Sequence, residues 1–95
     1  MHVISRKKLK EAAARHNELG DPLDAWFRIT KRAQWRNLED VRRTFSSADG
    51  VGKWTVFNVK GNRYRLISEI NYESGRVYIR HVLTHAEYDR GGWKQ

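Results

Sequence analysis

Cysteine is absent from this chain, which excludes disulfide staples, thiolate nucleophiles and cysteine-ligated metals and agrees with a reducing cytoplasm. Long apolar runs are missing as well. No stretch approaches the ~20 residues a membrane-spanning helix needs, and no apolar segment of a secretion signal follows the basic opening Met1 to Lys8. Internal repeats and low-complexity tracts do not occur, and the one loop-like stretch, 46–52, is too short to link two domains. A single soluble domain spanning 1–95, large enough for one core without staples, is the expectation.

Acid is scarce relative to base. Aspartate and glutamate number 11 against 19 lysines and arginines, a formal charge of +8. A small basic domain with 12% aromatic residues has an electrostatic reason to meet nucleic acid, since each neutralised phosphate releases condensed counterions. A solvated basic surface is the alternative. A membrane surface is a poorer partner, because no segment sets one broad apolar face against a basic one.

The chain divides by periodicity. His2 to Ile4 reads as a short strand and Ser5 as the cap of a helix over 6–16 with a thin stripe of Leu9, Ala12 and Ala13. Asp21 and Pro22 open a second helix over 22–34, in which Leu23, Trp26, Phe27, Thr30 and Ala33 fall on one buried face. Asn37, with Asp40 three residues on, caps a short third helix carrying Leu38, Val41 and Phe45. After the 46–52 loop the period changes to two: strands at 54–59, 63–72 and 76–84, joined by the turns 60–62 and 73–75, form an antiparallel meander. The expected architecture is α+β, a small antiparallel sheet of three meander strands and an N-terminal edge strand, with two to three helices on one face.

Strand alternation then sorts side chains by face. Tyr64, Leu66 and Ile70 take the helix side with Phe57, Val59, Val77, Ile79, His81 and Leu83. Arg63, Arg65, Arg80, Asn58 and Trp54 are left to converge on an open face, where guanidinium forks meet phosphate and flat rings meet bases. The alternative is an ordinary wet sheet face filled with charge. His81 and His85 have a spacing seen among zinc ligands, but four strand residues span roughly 13 Å, too far for one ion, and no metal or other cofactor is expected. His81 reads as a core residue. His85 and Tyr88 stand where the strand gives way to a turn, and a histidine there can move a proton near neutral pH.

Two segments, Asn58-Val-Lys-Gly-Asn-Arg-Tyr-Arg-Leu66 and Tyr78-Ile-Arg-His-Val-Leu-Thr-His-Ala-Glu-Tyr-Asp89, resemble the HigB toxins of bacterial type II toxin–antitoxin systems. The opening His2 to Ser5 and the joint from Phe45 to Asp49 are similar too. The resemblance implies a RelE-like fold and a toxin that cuts mRNA in the ribosomal A site by attack of the substrate's 2′-OH on the adjacent phosphate, without metal. It implies a HigA-type helix-turn-helix antitoxin as partner, and mRNA and ribosomal RNA as the nucleic acids met. Arg65, Arg80, His85 and Tyr88 match the places of catalytic residues. Trp54, Asn58, Arg63 and Lys94 are candidates for RNA binding, and Arg28, Lys31, Arg32, Arg42 and Arg43 for ribosomal RNA. Whether His85 or Tyr88 takes the 2′-OH proton stays open at this point, and a non-catalytic RNA-binding module is the alternative function.

Overall fold

A computed structural model describes residues 1–94. Five strands form one sheet in the order β1-β5-β4-β3-β2: β1 (His2–Ile4), β2 (Asp49–Val51), β3 (Trp54–Val59), β4 (Tyr64–Asn71) and β5 (Arg76–Thr84). Only the β1–β5 pair is parallel. Helices α1 (Arg6–Arg15), α2 (Gly20–Arg32) and α3 (Leu38–Thr44) precede β2, and α4 (His85–Arg90) follows β5 directly.

The α+β layering agrees with the sequence reading, with one strand more than expected. Asp49–Val51 pairs with Trp54–Val56 through a two-residue hairpin turn, whose Gly52 has φ +59°, so part of the stretch 46–52 read as loop is an edge strand. Three residues, one of them glycine, carry no alternation of their own; pairing alone makes them a strand. Helix α2 begins earlier than its proline suggests, at Gly20, with Leu19 as its first flanking residue.

Helix stripes and strand alternation meet in one core. Leu9, Ala12, Leu19, Leu23, Trp26 and Val41 from the helical layer pack on Phe57, Leu66, Val77 and Ile79 of the sheet. At its centre Phe57 takes the edges of Trp26 at 5.3 Å and Phe45 at 5.4 Å, while Trp35 stacks 6.1 Å away. Trp35, just past the expected end of the second helix at 34, is thus a core residue. Such aromatic contacts add to the area they bury.

A β-bulge changes the sequence reading of β5. Ile67 pairs with His81 but Ser68 with Ile79, so Arg80 is an extra residue in the ladder. Alternation restarts beyond it: Val82, opposite Leu66, joins the core, and Leu83, opposite Arg65, faces away from it. His81 is half-buried opposite Ile67 and is not a core residue; its partial burial, with Lys8 and Arg80 nearby, lowers its pKa. The far face of the sheet is also not bare. Val56, Ile67 and Trp93 form a second apolar cluster there, flanked by Trp54, Leu83 and Tyr88.

Candidate active site

The far face carries its chemistry where β4, the end of β5 and α4 meet. Arg65 of β4 lies between Asn58 of β3 and Leu83 of β5 and is only 9% exposed, which is rare for a charge and requires partners. Its guanidinium donates to the Asn62 carbonyl at 3.2 Å, the Tyr64 carbonyl at 3.1 Å and the Asn62 Oδ1 at 2.5 Å. Those three bonds fix the plane of the fork and, among the described residues, leave two of its five N–H groups for a ligand.

Helix α4 is set by the residue that caps it, Thr84. Thr84 and Glu87 form a reciprocal capping box, the Glu87 N–H reaching Thr84 Oγ1 at 3.2 Å and the Thr84 N–H reaching Glu87 Oε1 at 2.9 Å. The hydrogen bond from the Thr84 N–H is the main reason the Glu87 carboxyl lies below its ordinary pKa. The His85 N–H donates to the Arg63 carbonyl at 2.9 Å, tying the start of α4 to the β3–β4 turn. Glycine ends the helix: Gly91, with φ +76°, takes the left-handed conformation that reverses the chain.

His85 and Tyr88, three residues apart, share one side of α4. The His85 Nδ1 lies 2.8 Å from Asp89 Oδ2; a carboxylate accepts only from a protonated nitrogen, so Nε2 is the nitrogen that keeps a free lone pair in the neutral ring. The half-buried Tyr88 ring has the Arg65 guanidinium carbon 5.3 Å from its centroid, a cation–π distance. Trp93, in the short 3₁₀ turn Gly92–Lys94, stacks on the same ring with centroids 5.1 Å apart and planes 14° off parallel.

The structure brings Arg65, His85 and Tyr88 to one corner and sets other sequence candidates elsewhere. Arg80, at the bulge, donates to Glu69 Oε1 at 2.9 Å and covers the Tyr78 ring at 5.0 Å. It lies four strand residues before Thr84, roughly 13 Å along β5. Arg63 leaves the face for Glu18, 2.9 Å away, which also accepts a 2.5 Å bond from the Tyr64 hydroxyl. Trp54 is half-buried, with Trp93 against it edge-on at 6.0 Å and the Lys53 ammonium 4.6 Å from its centroid. Asn58 is exposed beside Arg65, and the exposed Lys94 has its ammonium 5.6 Å from the Trp93 centroid.

Among the helix cations, Arg28 pairs with Asp24, Arg42 with Asp49 and Arg43 with Asp40, each at 3.1 Å. Lys31 and Arg32 are exposed. Four residues that support the site were not singled out from the sequence: Asn62, which holds Arg65; Glu69, which holds Arg80; Asp89, which orients His85; and Trp93. Two had a readable signal, since Glu69 shares strand parity with Arg65 and Asp89 stands at helical i+4 spacing from His85.

A groove of about 770 Å³ between α2, β1 and the β4–β5 turn, lined by Phe27, Lys31, Trp35 and Tyr72, opens at the far end of β5. Its lining is mostly apolar and the guanidiniums on it, Arg6 and Arg36, are exposed, so the α4 corner with its nearly buried Arg65 is the better candidate. Among the described residues no three histidine, aspartate or glutamate side chains converge as metal ligands, and no helix is long and apolar enough to cross a membrane.

Comparison with known proteins gives a consistent outcome. The family model of the HigB toxin, a RelE-like toxic component of a toxin–antitoxin system, matches residues 20–91. The mRNA interferase HigB of Escherichia coli O6:H1 is 32% identical over 93 residues, 95% of this chain and 90% of that protein. The mRNA interferase toxin HigB of Escherichia coli K12 is 36% identical over 92 residues, 94% of this chain and 88% of that protein. The mRNA interferase HigB of Shigella flexneri matches at the same identity and coverage.

Proposed function

Since the chain belongs to the HigB family of RelE-like toxins, we propose that it is a ribosome-dependent endoribonuclease that cleaves mRNA in the A site without a metal. The observation that carries this reading is the corner itself: a locked guanidinium with three of its five N–H groups committed, together with a histidine with one free nitrogen and a tyrosine. In the proposed step His85 Nε2 takes the proton of the 2′-OH. The freed oxygen bonds to the adjacent phosphorus, the P–O5′ bond breaks, and the products are a 2′,3′-cyclic phosphate and a 5′-hydroxyl. Tyr88 hydrogen-bonds the departing 5′-oxygen and delivers its proton. Arg65 meets the charge gathering on the non-bridging oxygens, where preorganised donors act most strongly.

Arg80, farther along β5, suits a neighbouring phosphate of the same strand, and Asn58, Trp54 and Lys94 flank the path. Lys31 and Arg32, exposed on α2, are cations for ribosomal RNA. The proposed partner is a HigA-type helix-turn-helix antitoxin, and the place of action is the cytoplasm, where translation occurs.

The test is cleavage of a defined mRNA on purified ribosomes with a vacant A site, read by mapping 5′ ends and by identifying the terminal phosphate. The wild-type protein is expected to cut there and to leave free mRNA intact, with Arg65→Ala and His85→Ala at least about 100-fold slower, the scale of losing a transition-state donor or a proton-transfer group. Binding of RNA without cleavage would overturn the enzymatic reading and leave a basic binding module in its place.

A further inference from the structure

Tyr88 is carried by α4, a helix of six residues, and a helix that short has little rigidity of its own. Something else must hold the ring. The chain beyond Gly91 is exposed at Gly92 and Lys94, yet Trp93 between them is only 6% exposed, so the left-handed turn at Gly91 serves to fold one side chain back onto the sheet.

That side chain makes two separate contacts with the same residue. Its ring lies nearly parallel to the Tyr88 ring at 5.1 Å, and its indole N–H donates to the Tyr88 carbonyl at 2.9 Å. The Gly91 N–H also donates to that carbonyl, at 3.1 Å. Backbone and ring of residue 88 are thus both fixed from residues 91 and 93. The indole is itself anchored away from the helix, in the cluster with Val56 and Ile67 and against the edge of Trp54 at 6.0 Å. Sheet positions on β3 and β4 thereby set where a side chain of α4 points.

We propose that Trp93 is a positioning residue for the reaction: it holds the Tyr88 hydroxyl in register with the scissile phosphate. The inference rests on the ribonuclease reading above and adds to it a residue that touches neither substrate nor proton. Misplacing a reacting group by about 1 Å is enough to lose on the order of 100-fold in rate, whereas phosphate affinity, carried by cations, changes far less.

The experiment is a double-mutant cycle in single-turnover mRNA cleavage on ribosomes, with wild type, Trp93→Leu, Trp93→Phe, Tyr88→Phe and the Trp93→Leu/Tyr88→Phe double variant. Leucine keeps apolar burial and removes both the ring and the donor; phenylalanine keeps the ring. The expected outcome is a loss of about 100-fold in maximal rate for Trp93→Leu at nearly unchanged half-saturating ribosome concentration, partial retention in Trp93→Phe, and little further loss when Trp93→Leu is added to Tyr88→Phe, because residues acting as one unit are not additive. Circular dichroism sets the working temperature at which each variant is folded. A Trp93→Leu loss that multiplies undiminished in the Tyr88→Phe background, or full activity of Trp93→Leu or Tyr88→Phe, overturns the inference. Absence of cleavage by the wild type instead overturns the ribonuclease reading, so the two failures are distinct.

Discussion

At the scale of single residues the site depends on groups that hold other groups. Asn62 accepts from both terminal nitrogens of Arg65, and Asn62→Ala removes the side-chain acceptor from a nearly buried cation. The expected result is about 1–3 kcal/mol lower stability in urea denaturation, together with a fall in cleavage approaching that of Arg65→Lys, which keeps the charge but not the fork. Wild-type cleavage by Asn62→Ala would show that the guanidinium finds its place unaided. Asp89→Asn addresses the histidine: an amide can present its N–H to Nδ1 and stabilise the wrong tautomer, so the maximal rate is expected to drop by at least about tenfold. Residue type and strand parity were enough to nominate Arg65 and, through the helical turn, His85 and Tyr88. They did not reveal Trp93, because a tryptophan that follows two glycines, Gly91 and Gly92, has no periodicity from which burial can be read.

At the scale of elements, helices with strong stripes were legible and exceptions to regularity were not. The stripe of α2 placed Leu23, Trp26 and Thr30 in the core correctly, and Asn37 caps α3 by accepting from the Asp40 N–H at 2.9 Å, as its spacing indicated. The bulge at Arg80 was invisible, since the residues from Val77 to Leu83 are apolar or amphipathic on both parities and no local signal says where the count slips. Edge strand β2 was hidden for the same kind of reason, being defined by its neighbour. Thr30 gives an element-level prediction: it is fully buried in α2 and its Oγ1 has no hydrogen-bond partner, so Thr30→Val, of equal shape, is expected to raise stability by about 1 kcal/mol. An unchanged or lower urea midpoint would mean that the hydroxyl is satisfied in solution. Conversely Thr84→Ala deletes the cap of α4 and is expected to lower stability by about 1 kcal/mol, with a larger proportional loss of cleavage because His85 is the next residue.

At the scale of the whole molecule, charge and acid lability act together. Glu18 is held below its ordinary pKa of 4.5 chiefly by the Tyr64 hydrogen bond, and Asp40 below 3.8 chiefly by the Arg36 N–H. Groups depressed in the folded state bind protons more readily when unfolded, so their stabilisation is present above those ordinary values and lost as pH falls through the lowered ones. His81, whose pKa burial lowers from 6.5, works in the same direction at higher pH. Thermal denaturation is therefore expected to show stability rising from acid toward neutrality, with Glu18→Gln flattening the most acidic part of the curve; identical curves would remove Glu18 from the account. The bulge bears on chain length. Removing Arg80 alone would leave Ile79 and Val82 facing the helices, and His81 and Leu83 facing away, in an unbroken two-residue alternation. A one-residue deletion is thus structurally tolerable at 80, whereas at 78 it would turn Ile79 away from the core and at 82 it would put His81 in the place of Val82, so the ladder absorbs a change of length in β5 at one place.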